Sequence, residues 1–484
     1  MIDTAKFQIS DYIKSSFDCT CGVNHSCSVR RIDISSGALN SLAEYVRSDG
    51  FTNVLVVCDR NTYAAAGEKT VFLLLAADIV LDTLVFENDI LIPDEYAVGS
   101  VVMAASDCQL IIGVGSGTVN DICRMASFKM KLPYYIVATA PSMDGYASSV
   151  AAMTVGGMKK TLSAHAPQVI IGDTGILQKA PMPMIAAGLG DILGKYTCLC
   201  DWKLSGIING EYYCNTIVQM MREAIRRVAE NIGSVKDRRA EGIGELMSAL
   251  VLSGVAMSFA GSSRPASGSE HHLSHFWEMR FHQEGITPQL HGTKVGIGTI
   301  TVLRFCSELL EIEKCPDFAT ASVFAATFDK RRWEKEIVRV YGKTAGDVLT
   351  LDRLSDKNTF EGHGRRIATI QRNWNEIVDV MTCQLPSVTI IESMLTELGA
   401  PCRPFSIGIT PTMLTDSLIY AKELRDRYTV LQLAWDMGVL DTLAKRTLNC
   451  FVNEQKSLTI QKTDKENSYG LRKRIFKDAR AVEG

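Results

Sequence analysis

The chain has 484 residues, enough for two or three domains with a large core, and its 46% hydrophobic and 22% charged content fits a globular protein. A net charge of −3 gives no global field for nucleic acid or an anionic membrane, so an anionic substrate must be held by local donors. No basic-then-apolar leader opens the sequence and no apolar run is long enough to span a bilayer, so a cytoplasmic protein without membrane or nucleic-acid partners is expected.

The first distinctive segment carries Cys19, Cys21, His25 and Cys27. Its Cys-x-Cys gap is tighter than the two-residue gaps of compact zinc sites, so a reduced turn is expected here in preference to a metal site. The other cysteines, such as Cys58, Cys123 and Cys306, sit in apolar segments as small hydrophobes and form no disulfide framework.

From about residue 50 to 175, short β-branched runs alternate with helical stretches. Strands are expected at 52–59, 82–86, 108–113 and 134–138, with helices over 64–77 and from Asp94 to about Ser106. A hairpin turning at Gly156-Gly157 follows, and a strand at 168–172 is expected to close the domain. Buried strands separated by helices give a parallel α/β sheet. After Pro181 helical patterns dominate, notably at 241–259, 335–341, 365–381 and 415–437. The expected organisation is an α/β nucleotide-binding domain over 1–178, an all-helical metal- and substrate-binding domain over 179–453, and a charged tail over 454–484. That tail holds eight Lys/Arg against five Asp/Glu and is expected to be a solvated end.

Gly113, Gly115 and Gly117 lie between a strand and a helix. Glycines allow close backbone approach to an anion, and the helix N-terminus favours pyrophosphate. The spacing is not the Gly-x-Gly-x-x-Gly fingerprint, so a tight turn common to any α/β protein remains open. Asp59 ends the first of these strands, where an acid can accept from an adenosine ribose and disfavour a 2′-phosphate, or simply cap a helix. The polar loop from Thr139 to Ser149 follows the fourth strand, at the edge where open α/β sheets bind ligands.

Asp191, His271 and His291 offer one carboxylate and two imidazoles, a set that suits zinc, nickel or iron and leaves a coordination position for substrate. His271 and His275 are four residues apart and can face one cleft, as can Asp191 and Lys195. Glu270 precedes His271 instead of following it, which removes the general base of a His-Glu-x-x-His protease. Histidines that cap helices or satisfy core hydrogen bonds are the bland alternative. Four of the eight histidines crowd between His271 and His282, with His291 just beyond, and that favours ligands.

Several separated motifs resemble the iron-dependent alcohol dehydrogenase and dehydroquinate synthase superfamily, and within it the sn-glycerol-1-phosphate dehydrogenases, including the bacterial AraM type. They are Gly113–Asp121, Thr139–Ser148, Gly188–Asp191, Ser263–His271, His291-Gly292, Arg425–Leu431 and Trp435-Asp436, spread over roughly residues 50 to 445. The resemblance implies that Gly117, Thr118, Val119, Asn120, Asp121, Thr139, Ala140, Pro141, Ser142 and Ser148 contact NAD or NADP. It implies that Asp144 and His275 meet the substrate, and that Asp191, His271 and His291 hold one divalent metal ion, zinc or nickel. The reaction it implies is reversible reduction of dihydroxyacetone phosphate to sn-glycerol 1-phosphate. Arg264, Lys159, Lys160 and Lys294 are candidate phosphate partners, each reading equally well as a surface charge. A homodimer is the expected assembly. Glycerol or another polyol dehydrogenase, a dehydroquinate synthase-like lyase and a non-catalytic nucleotide-binding regulator are the alternatives.

Overall fold

Uninterrupted β-branched and aromatic runs build the centre of the sheet. The computed structural model describes Ile13 and residues 16–456, apart from 89, 157 and 313–315. Its strands are β1 (Phe17–Asp18), β2 (Asn24–His25), β3 (Arg31–Ser35), β4 (Asn53–Asp59), β5 (Val80–Phe86), β6 (Leu110–Gly115), β7 (Tyr134–Ala138), β8 (Val150–Val155), β9 (Met158–Ser163) and β10 (Val169–Asp173). Six of them form one sheet in the order β3-β10-β7-β6-β4-β5, and every neighbouring pair is parallel. β6, β7 and β10 are buried along their whole length, as parallel strands covered on both faces must be. The two faces carry separate cores. Leu55, Val57, Ile111 and Ile136 pack with Val119 and Ile122 of the helix Gly117–Met130. Val54, Val56, Ile112 and Val114 pack with Ala66 and Leu74, which follow β4.

The chain leaves β4 towards β5 at one edge and returns to β6 on the other side of β4. The helices after β4 and β6 therefore cover opposite faces, and a crevice opens beyond the carboxyl ends of these two strands. Asp59 and Gly115–Gly117 flank it.

Beyond β10 the named elements are helical. Met182–Leu193 carries Asp191, Ser269–Glu284 carries His271 and His275, and His291–Ile312 begins with His291. Ala240–Ala260 is the one described helix long and apolar enough to cross a membrane, but 67% of its apolar window is buried against the rest of the protein.

Two helical expectations need correction, and one strand was not expected. The strand at 168–172 is β10, the last in chain order, but β3 pairs outside it and forms the sheet edge. β3 escaped notice because Arg31-Ile32-Asp33-Ile34-Ser35 is a short, half-buried edge strand with alternating polarity. The pattern over 365–381 breaks at Asn373, which separates Phe360–Arg372 from Trp374–Gln384. The pattern over 415–437 is interrupted, since residues 425–429 lie outside helix and bring Arg425 and Arg427 inward. A last helix spans 440–456, where Glu454 meets Arg304 and Arg403 at 2.5 and 3.0 Å. Gly157 of the expected turn and residues 457–484 of the expected tail lie outside the described residues.

Candidate active site

Asp191, His271 and His291 come from three helices, yet their ligand atoms all lie within 4.8 Å of one another. Glycines make this possible. A Cβ on Gly292 would stand 1.9 Å from the Ala187 carbonyl oxygen, and one on Gly190 would stand 2.4 Å from that of Gly292. The helices carrying Asp191 and His291 thus touch backbone to backbone. Gly292→Ala should cost about 3 kcal/mol, the upper end of ordinary overpacking, because neither clashing atom is a movable side chain. Denaturant unfolding together with metal content of the folded fraction measures it.

The donor set fits a divalent metal. His271 Nδ1 lies 2.7 Å from Glu270 Oε1, which leaves Nε2 facing Asp191 Oδ1 at 3.6 Å. A carboxylate behind a ligating imidazole fixes its tautomer and raises its basicity. Glu270 is itself fixed by Thr197 Oγ1 at 2.6 Å and by the Gly268 N–H at 2.8 Å. Burial, reinforced by the Lys195 ammonium, pushes His271 well below the usual imidazole range, and burial likewise lowers His291. Both rings are then neutral and able to ligate at pH 7. His275 lies beside them, its ring centroid 5.7 Å from that of His291.

A buried cation holds two carboxylates together at this centre. Lys195 Nζ donates to Asp144 Oδ2 at 2.7 Å, Asp191 Oδ1 at 3.0 Å and the Ala266 carbonyl at 2.9 Å. Ser253 Oγ also donates to Asp144 Oδ2, at 2.9 Å. Burial would raise Asp144, but the Lys195 charge and hydrogen bond, together with the neighbouring His271 and His291, outweigh it and hold the carboxyl at about 2. Asp191 is pushed up, by burial first and then by the Asp144 charge. A metal ion would reverse that shift by favouring the carboxylate.

The loop from Thr139 to Asp144 joins this centre to the glycine-rich turn. Its Thr139 N–H donates to the Gly115 carbonyl at 3.1 Å, and its Asp144 N–H donates to Asp191 Oδ2 at 3.0 Å. Ala140 lies in the same loop and accepts from the Tyr146 hydroxyl at 2.6 Å, while the Pro141 carbonyl oxygen sits 1.9 Å from where a Cβ on Gly188 would be. Ser142 is buried, and Ser148 is held by hydrogen bonds with Val150. Gly117, Thr118, Val119, Asn120 and Asp121 form the first turns of the helix after β6, whose Ser116 cap makes no side-chain hydrogen bond. Asp59 caps its own helix, accepting from the Thr62 N–H at 2.8 Å. The capping role and a ribose contact are compatible, since a carboxylate has a second oxygen.

Of the candidate phosphate partners, Arg264 is committed to Glu211 and the Tyr428 carbonyl, and Lys294 to the Gln289 carbonyl. Lys160 lies exposed on β9, and the Lys159 side chain is outside the description. Arg425 and Arg427 are better placed. Neither pairs with a carboxylate among the described residues; Arg425 reaches Thr161 Oγ1 of β9 at 3.4 Å and Arg427 the Ser267 carbonyl at 3.1 Å. Burial lowers both guanidiniums, Arg427 to about 10. His275 is lowered to about 4, by burial first and in part by the Arg425 charge, so Arg425 acts at electrostatic range on the histidine cluster.

Sequence reading also missed Ser253, Glu270 as the partner of His271, and Arg124. The buried Arg124 guanidinium ties Asp121, at 2.6 Å, to the Val150 carbonyl, at 3.0 Å, and so holds the loop containing Asp144 against the glycine-rich helix.

A family model of iron-containing alcohol dehydrogenases matches residues 33–181. The glycerol-1-phosphate dehydrogenase (NAD(P)+) of Geobacillus thermodenitrificans is 33% identical over 418 residues, covering 84% of this chain and 93% of its own. The enzyme of that name from Halalkalibacterium halodurans is 31% identical, covering 86% and 94%. Among solved structures, an alcohol dehydrogenase from Oenococcus oeni matches with a TM-score of 0.57 at 14% identity, over 87% of this chain and 98% of its own. A glycerol dehydrogenase from Schizosaccharomyces pombe matches with a TM-score of 0.56 at 16% identity, over 87% and 91%. At such identity these two structures speak for the fold alone.

Proposed function

Because the chain belongs to the glycerol-1-phosphate dehydrogenase family, we propose that it reversibly reduces dihydroxyacetone phosphate to sn-glycerol 1-phosphate with NADH or NADPH. The single observation that carries this reading is the Thr139–Asp144 loop, hydrogen-bonded at one end to the glycine-rich turn and at the other to Asp191. A nucleotide on that turn and a ketone at the histidine cluster would meet across six residues.

Each group then has a task. The helix N-terminus at Gly117–Val119 takes the pyrophosphate, and Asn120, Asp121, Thr139–Ser142 and Ser148 surround the dinucleotide. Asp191, His271 and His291 would hold zinc or nickel, which supplies Lewis-acid polarisation of the ketone oxygen. A bound nicotinamide would supply the hydride for carbon 2, and the reduced oxygen would then need one proton from the protein. His275 is neutral at pH 7, so it presents one N–H and one acceptor nitrogen. A proton it passes to the substrate must be replaced through its other nitrogen. Asp144, kept ionised by Lys195, orients a substrate hydroxyl. Arg425 and Arg427 take the phosphate, a role suited to guanidinium forks. The protein works in the cytoplasm as a homodimer under this reading.

The test is NADH oxidation with dihydroxyacetone phosphate beside unphosphorylated dihydroxyacetone. Turnover should require the phosphate, and the product should be refused by a dehydrogenase specific for sn-glycerol 3-phosphate. Preference for dihydroxyacetone would instead make the protein a polyol dehydrogenase. Arg425→Ala should raise KM for the phosphorylated substrate roughly ten- to a hundredfold, as expected for losing a charge-assisted contact, while KM for NADH stays put. Equal effects on both constants would remove Arg425 from the phosphate site.

A further inference from the structure

The structure assigns a second, structural zinc site to Cys19, Cys21, His25 and Cys214. Cys27, expected to belong with the first three, does not join them. Cys214 does, from 195 residues beyond Cys19. It immediately precedes the helix Asn215–Glu230. The four ligand atoms lie within 4.8 Å of one another.

The spacings are those of a tetrahedral centre. Zinc–sulfur bonds of about 2.3 Å and zinc–nitrogen bonds of about 2.0–2.1 Å place ligand atoms roughly 3.5–3.8 Å apart at the tetrahedral angle. Cys19 Sγ and Cys214 Sγ are 3.7 Å apart, and His25 Nε2 lies 3.4 Å from Cys21 Sγ and 3.5 Å from Cys214 Sγ. A disulfide would need about 2.05 Å between sulfurs. The shell behind the ligands is also built. His25 Nδ1 lies 2.8 Å from the Phe259 carbonyl, which turns Nε2 towards the thiols. The hydroxyls of Tyr212 and Thr216 lie 3.2 Å from Cys21 Sγ and Cys19 Sγ, positioned to donate to thiolates. Four protein ligands leave no open position, which distinguishes this site from the carboxylate–histidine one. Three thiolates with one imidazole favour zinc over harder divalent ions.

The consequence is mechanical. The β1–β2 hairpin carries three ligands, and the fourth anchors it to the helical part beside Phe259. Glu211, in the same short segment as Cys214, holds Arg264 of the loop that supplies the Ala266 carbonyl to Lys195. The zinc therefore pins the N-terminal arm against the segment that buttresses the other metal centre, whatever reaction that centre serves.

The experiment measures metal content after EDTA dialysis of the full chain grown with zinc, beside Cys19→Ser/Cys214→Ser and His271→Ala/His291→Ala variants. Wild type and the histidine variant should each retain one zinc per chain, and the cysteine variant none. Protein grown with cobalt provides a second reading that needs no cysteine variant to fold. A thiolate-to-cobalt charge-transfer band should appear in the histidine variant, whose remaining metal has sulfur ligands. Zinc-free wild type after dialysis, a cobalt spectrum without that band, or a Cys19–Cys214 disulfide found by mass would each overturn the assignment.

Discussion

His271→Ala should lower kcat with dihydroxyacetone phosphate about a thousandfold or more, close to 4 kcal/mol of transition-state stabilisation. His271 is one of the three candidate donors found among the described residues, and its Nε2 is the one aimed at Asp191 Oδ1 across 3.6 Å. On the proposed reading, two remaining donors would hold a divalent ion poorly, and the charge that would polarise the ketone oxygen would be lost. The glycine-rich turn and the Thr139–Ser142 loop are untouched by the change, so the dissociation constant for NADH, read by fluorescence, should move less than about threefold, under half of the 1.4 kcal/mol that a tenfold change represents. Equal turnover in the variant and wild type would remove His271 from the catalytic centre. A lost NADH affinity would instead show that the variant is misfolded near the crevice.

Lys195→Met carries the second large effect, this time on stability. Lys195 is fully buried and sits between Asp144 and Asp191, with ion pairs of 2.7 and 3.0 Å. Removing one partner of a buried ionic group while its counter-charges stay costs about 3–5 kcal/mol. Chemical unfolding of metal-free protein should show a loss of that size. Adding Asp144→Asn should recover part of it, because only one carboxylate then remains to be compensated. Divalent metal should raise the melting temperature of Lys195→Met more than that of wild type, since the ion then supplies the only positive charge at Asp191. An unchanged unfolding midpoint in Lys195→Met would contradict the role given to this lysine.

Much of the candidate site was legible in the sequence because its parts are local signatures. The glycine-rich turn sits between β6 and its helix, and the Asp191, His271 and His291 motifs each stand out within a few residues. What escaped depends on distance or on pairing. Glu270 reads as the neighbour of a histidine, and only the fold puts its carboxylate against His271 Nδ1. Arg264 and Lys294 read as free cations, but Glu211, Tyr428 and Gln289 engage them. Arg425 and Arg427 stood in a motif of the resemblance, but an apparent helical period gave them no role, and only the break in that helix turns them half-buried towards the site. Cys214 has no local companion at all, and its partners lie at the other end of the sheet domain's sequence. β3 was missed because a half-buried edge strand of alternating polarity lacks the solid apolar run that marks β6 and β7.

The most direct test of the central claim follows NADH oxidation by dihydroxyacetone phosphate on one preparation, before chelation, after chelation and after zinc or nickel is returned. Turnover should vanish with the chelatable metal and return in proportion to the metal bound at Asp191, His271 and His291. Full activity in the stripped protein, or none in the fully metallated one, would contradict a metal-dependent reductase.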